Sequence, residues 1–148
     1  MSPARKDPRH RAREAALQVL YQWEVGRNGV TEAAALFFEQ QWPGDAPAPS
    51  DLRQFATDLA VDTVTRLAAI DALIADTAER WRPERMAVLD RLILRMATCE
   101  LTRGTGTPPA VIINEALELA RTFSTEDAVK FINGMLDAIR KKIEGPKA

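Results

Sequence analysis

Apolar residues recur at helical spacing along almost the whole chain, and glycine and proline interrupt that spacing at only a few points. This periodicity leaves little room for anything but helices. Ala12, Ala16, Val19, Leu20 and Trp23 fall on one face of a first helix. Asp7 can cap it, with Pro8 in the first helical position, where the missing N–H and the fixed φ are advantages. Gly26 and Asn28-Gly29 end it. Thr31 can cap a short second helix through Gln40. The run from Pro43 to Pro49 is then a loop. Ser50 or Asp51 begins a third helix to about Ala69, with Phe55, Leu59 and Ile70 among the residues marking its turns. Asp71 is a candidate cap for a fourth, Ala72 to Arg80. A fifth runs from Met86 to Arg103, and Gly104 to Pro109 breaks the chain. Pro109 opens a sixth helix to about Thr122. Ser124 caps a seventh, to about Ile143, with Asp127 as capping-box partner. No segment alternates as a strand would, and no internal repeat is visible. The expected fold is all-α, a compact bundle of about seven helices. Seven exceed one simple bundle, so two packed subdomains of a single domain, 1–148, are expected, dividing near 70–80 (about 7–70 and 71–148).

Composition narrows the function classes. Of the 148 residues, 46% are hydrophobic and 28% charged, ordinary for a globular chain. The longest charge-free run, Gly104 to Asn114, is far short of the ~20 apolar residues of a membrane span. No apolar stretch of signal-peptide type follows the basic start. The single cysteine, Cys99, cannot form an internal disulfide, so a cytoplasmic location is expected. Its helical setting without a nearby histidine reads as a buried thiol rather than a nucleophile. The single histidine, His10, excludes histidine-rich metal sites and makes histidine-based nucleophilic catalysis hard to assemble. Glu115 and Glu118 share a helix face, as solvated pairs commonly do. No catalytic residue, cofactor or metal site is expected.

The net charge is −1, but the charges are segregated. Residues 1–13 hold Arg5, Lys6, Arg9, Arg11 and Arg13 against Asp7 alone, a charge of +4 before His10 is counted. Residues 14–60 carry two positive and seven negative groups, a charge of −5. Residues 121–148 return to +2, from six positive and four negative groups. Arginine outnumbers lysine fifteen to five, which suits bidentate phosphate contacts but is also what a GC-rich genome produces. The clustering is the more informative signal.

Two constellations follow. In the segment Arg9 to Arg13, Arg9 and Arg13 share a helix face while Arg11 points elsewhere. It reads either as a phosphate-binding arm or as a solubilising terminus. Cations at a helix N-terminus oppose the macrodipole, and their presence despite that cost favours the first reading. In the last helix, Lys130-Phe131 pairs a cation with an aromatic ring able to stack on a base. Taken alone, a core phenylalanine beside a solvated lysine is the simpler reading. The nearby Glu126-Asp127 suits its own helix N-terminus. Gly134, inside the helix, costs ~1 kcal/mol relative to alanine and suggests close packing or contact. Gly104-x-Gly106 follows a helix and leads into Pro-Pro, so it is no phosphate loop. Trp23, Trp42 and Trp81 read as packing residues.

Together these segments resemble the NusB family of transcription antitermination factors. The stretch Arg11 to Tyr21 (RAREAALQVLY) is similar to the family's opening. Ile113 to Arg121 (INEALELAR) and Lys130 to Asp137 (KFINGMLD) resemble its later signatures, and Leu92 to Ala97 with Glu100-Leu101 also fits. Order and spacing agree over nearly the whole chain. The resemblance implies an all-α fold of two helical subdomains and a non-enzymatic role. It implies binding of the boxA element of ribosomal RNA transcripts, together with the small-subunit ribosomal protein NusE, so that RNA polymerase reads through terminators. It carries an RNA-binding role onto Arg9, Arg11 and Arg13. His10 stands where an arginine is common, implying a weaker or weakly pH-dependent arm. It carries an RNA-facing role onto Lys130 and Phe131, with Asp127 beside the phosphate path, and places Tyr21 and Asp90 on the NusE-facing surface.

Three rivals remain open at this level: an RNA-binding module serving ribosomal RNA modification or maturation, an enzyme built on carboxylates and Asn114, and a protein-only helical adaptor. A NusB-like domain precedes the catalytic domain of some RNA cytosine methyltransferases, but 148 residues leave no room for a methyl-donor domain. Exposed apolar stripes would also allow a homodimer.

Overall fold

The structure is a computed structural model that describes residues 7–78 and 81–145. Seven α-helices follow in chain order: α1 (Pro8–Val25), α2 (Val30–Leu36), α3 (Ser50–Thr65), α4 (Leu67–Thr77), α5 (Val88–Arg103), α6 (Pro109–Phe123) and α7 (Glu126–Glu144). A π-helical turn, Phe37–Gln41, extends α2, and a 3₁₀ turn, Pro83–Arg85, precedes α5. No strand occurs among the described residues, and no described helix is long and apolar enough to cross a membrane. The chain divides into two compact units at Val64/Thr65.

In the first unit, α1 packs on α2. Ala12, Ala15 and Ala16 of α1 are buried, as are Ala33 and Ala34 of α2, and such small side chains permit close helix approach. Leu17, Val19 and Leu20 are also buried on α1, and Leu52, Ala56, Leu59 and Ala60 on α3. Asp7 caps α1 as expected: its carboxylate accepts a hydrogen bond from the Arg9 N–H at 2.7 Å, and Pro8 occupies the first turn. Thr31 does not cap α2; Gly29 precedes it without a side-chain cap. The expected plain helix to Gln40 instead widens into the π turn, closed by the Trp42 N–H on the Phe37 carbonyl at 3.0 Å.

In the second unit, α5, α6 and α7 pack against one another, and α4 lies on α5 and α7. The centre is α5, in which every residue from Leu92 to Glu100 is buried, including the Cys99 thiol. A helix buried on all sides carries its polar groups satisfied. Thr98 donates its hydroxyl to the Leu94 carbonyl, and the Arg95 guanidinium meets both oxygens of Asp71 at 2.8 Å. Asp71 is therefore not a helix cap but the anchor of α4 on α5. The break between α3 and α4 comes earlier than the sequence suggests, at Arg66, with φ −102° and ψ 17°. Neither glycine nor proline marks it. Arg80, the expected end of α4, lies outside the described residues. Gly104 takes the left-handed conformation that ends α5 (φ 65°), where a side chain would be strained. Thr125, rather than Ser124, caps α7 by accepting from the Ala128 N–H at 3.1 Å. That shift of one residue places Ala128 where a capping box needs an acidic partner, so Asp127 acts on the helix dipole instead.

Candidate nucleic-acid interface

Helix α1 starts inside the basic segment, so its first turns project Arg9, His10, Arg11 and Arg13 in different directions. Arg5 and Lys6 lie outside the described residues. Arg9 is exposed, and its guanidinium sits 4.1 Å from the centroid of Phe55 on α3. Arg13 shares that ring at 5.3 Å, as the i,i+4 spacing requires. The structure places Arg13 differently from a phosphate-binding surface residue, however. It is only 4% exposed, so its charge lies under the helix surface rather than in solvent. Arg11 points elsewhere and lies 4.6 Å from the Trp42 ring centroid. His10 is largely covered, with Nε2 3.9 Å from a Glu14 carboxylate oxygen.

A fourth arginine joins this surface. Arg53, in the first turn of α3, lies 5.3 Å from the Phe38 ring, and Phe38 in turn packs on Trp42 at 5.7 Å. Among the described residues, Arg9, Arg11 and Arg53 have aromatic partners and no carboxylate partner. Each cation–π contact contributes about 0.5–1 kcal/mol at exposed positions. More importantly, it holds a long side chain in place while its N–H groups stay available, so less rotamer entropy is lost when an anion binds. Sequence reasoning identified Arg9 and Arg11 but missed Arg53, Phe38, Phe55 and the role of Trp42. Only the i,i+4 spacing of Phe38 and Trp42 carried a local signal; the other contacts cross between elements.

In the second unit, Asp127, Lys130 and Phe131 occupy one exposed side of α7, and Phe131 leaves 46% of its surface open. It is therefore not the core phenylalanine that the bare pattern suggested. Gly134, one turn further, is exposed, and a Cβ there would meet nothing within 4 Å. The expectation of close packing at Gly134 within the protein is thus corrected: the glycine leaves a bare strip beside an exposed ring.

Tyr21 is exposed on α1, one turn from exposed Val25. Asp90 stands in the first turn of α5, where the helix dipole favours a carboxylate. Its Oδ1 is buried without a hydrogen-bond partner. Glu118 pairs with Arg121 on an open surface, the ordinary solvated arrangement. Trp81 donates its indole N–H to the Met86 sulfur. No group of three or more metal-ligating side chains occurs among the described residues.

The NusB family model matches residues 10–141 of this chain. A transcription antitermination protein NusB from Solibacter usitatus is 45% identical over 140 residues, covering 95% of this chain and 93% of the relative. Among solved structures, NusB from T. maritima superposes with a TM-score of 0.81 at 32% identity, covering 93% of this chain and 94% of that one. A crystal structure of antitermination factors NusB and NusE in complex with double-stranded RNA gives a TM-score of 0.76 at 26% identity, covering 91% and 97%.

Proposed function

The chain belongs to the NusB family of transcription antitermination proteins, which are not enzymes, and on that premise we propose that it binds boxA RNA of ribosomal RNA transcripts jointly with NusE, in the cytoplasm, and so favours read-through by RNA polymerase. The observation that carries this reading is the pair of arginines at the start of α1, Arg9 exposed and Arg11 half-buried, each held on an aromatic ring with no carboxylate partner among the described residues. Such groups suit a phosphodiester backbone, which displaces counterions and accepts charge-assisted hydrogen bonds.

The mechanism is assembly. Arg9 supplies a phosphate contact, Arg11 offers the RNA a cationic face carried on Trp42, and Arg13 packs on the Phe55 ring on which Arg9 rests. Lys130 adds a further cation. Phe131 provides a stacking face for an unpaired base, which is how single-stranded RNA is recognised with some selectivity. Tyr21 and Asp90 are the proposed NusE contacts. Ribosomal proteins are basic, and the half-buried Asp90 carboxylate at the start of α5 is a charge of the sign that suits such a partner.

The test is a titration of boxA-like RNA and a scrambled control, with and without NusE, at two salt concentrations. The expected result is preferential binding of the boxA-like RNA, tighter with NusE and weaker at high salt. Equal binding of both RNAs, or none, overturns the reading. In Arg9→Ala the salt dependence becomes shallower.

A further inference from the structure

Beside the arginine-bearing start of α1 lies an open groove of about 290 Å³, bordered by Arg11, Glu14, Gln18, Gln41, Trp42 and Pro43. Trp42, whose N–H closes the π turn on the Phe37 carbonyl, forms one wall of it opposite α1. The groove is polar and aromatic rather than greasy. Arg11 lies over the Trp42 ring, Trp42 packs on Phe38, and Arg53 lies over Phe38. The result is an unbroken stack from α1 to α3, two rings in contact with a cation at each end. Gln41 uses its side-chain oxygen to accept from Gln22 at 2.6 Å, which leaves its NH₂ group to donate. Gln18 is exposed, and its amide has no hydrogen-bond partner among the described residues. A volume at the lower end of small-ligand clefts accommodates one planar group, not several.

We propose that this groove is a nucleotide subsite for single-stranded RNA, with one base stacked on Arg11 above Trp42, its edge met by Gln18 and Gln41, and an adjoining phosphate held by Arg53. This rests on the RNA-binding reading above and extends it to residues outside the basic arm. The chemistry favours a nucleotide over a peptide. A guanidinium carried on an aromatic ring offers a flat cationic face that stacks on a base, and paired amides match donor and acceptor positions on base edges. The Glu14 carboxylate at the rim, 3.9 Å from His10, repels phosphate, so the backbone runs on the Arg53 side.

The experiment uses the full chain with a boxA-like RNA carrying 4-thiouridine, crosslinked and mapped to peptides, beside titrations of Arg53→Gln and Gln18→Ala. Both substituted residues are exposed, so both variants are expected to fold. The expected results are a crosslink in the peptide containing Trp42 and about three- to tenfold weaker binding by Arg53→Gln. The salt slope of that variant falls by about 0.7, the value for one lost phosphate contact on a single strand. Gln18→Ala weakens binding with its slope unchanged, because it removes no charge. Crosslinks confined to α7 and the first turn of α1, with wild-type affinity and slope in Arg53→Gln, overturn the subsite and leave the RNA-binding reading standing. An effect of either variant on NusE binding alone also overturns it, in favour of a protein contact. Failure of the unmodified chain to bind RNA removes both.

Discussion

Arginine plays three different parts within the first two turns of α1. Arg9 rests on Phe55 and stays open to solvent, Arg11 lies on Trp42 at the mouth of a groove, and Arg13 is buried against the Phe55 ring. Identical residue types at neighbouring positions thus differ in availability because the surfaces behind them differ. Asp127 shows the opposite balance on α7. In the first turn it stabilises the helix by about 0.3–1 kcal/mol through the dipole, yet it sets a negative charge one turn from Lys130 and Phe131. Asp127→Asn is therefore expected to lower stability slightly in chemical denaturation while tightening RNA binding in titration. Unchanged affinity reduces Asp127 to a helix-dipole partner. Gly134 makes a parallel case. It is exposed inside a helix with open space where a Cβ would stand, so Gly134→Ala is expected to stabilise by about 0.5–1 kcal/mol, read as a higher melting temperature. A glycine retained at that cost suits close approach of RNA, so the same variant is expected to bind RNA more weakly.

Among the elements, the π turn after α2 and the buried helix α5 matter most. The turn at Phe37–Gln41 presents Phe37 and Phe38 edge to face and brings Trp42 onto Phe38 and Arg11. Gln41 of the turn and Trp42 after it line the groove, and no glycine or proline within the turn announces it. α5 is held to α4 by Arg95 and Asp71, whose side chains are 9% and 29% exposed. Asp71→Ala removes two hydrogen bonds from a nearly buried guanidinium and is expected to cost on the order of 2 kcal/mol in urea denaturation. The Arg140–Glu144 pair on α7 makes one contact of the same 2.8 Å length but is open to solvent, and Glu144→Gln is expected to cost only about 0.5 kcal/mol or less. Equal losses in the two variants would falsify the burial argument. The helix ends legible in the sequence were those with a local cause: Asp7-Pro8 before α1, Gly104 after α5, Pro109 at the start of α6. The break at Arg66 had none, and Asp71, an apparent cap by local rules, was claimed by an arginine 24 residues away.

For the molecule as a whole, a net charge of −1 argues against polyanion binding only if the charges are mixed, and they are not. With Arg9, Arg53 and Lys130 each meeting one phosphate, the affinity for single-stranded RNA is expected to fall with a log–log salt slope of about −2, or about twentyfold between roughly 50 and 200 mM salt. A flat profile in titrations at those concentrations is the result expected if the cations serve solubility alone. The all-α class, the order of the helices and the basic start were settled by sequence, because apolar periodicity, proline, glycine and like-charge clustering are local properties of a chain. So was the family, whose signatures are contiguous segments. The partners of the arginines were decided by tertiary structure alone. A cation is anchored or buried by what lies across from it, and Phe55 is 46 and 42 residues from Arg9 and Arg13 along the chain. The sequence marks the cations; only the packing of α1 with α3 and the π turn determines which of them can still meet a phosphate.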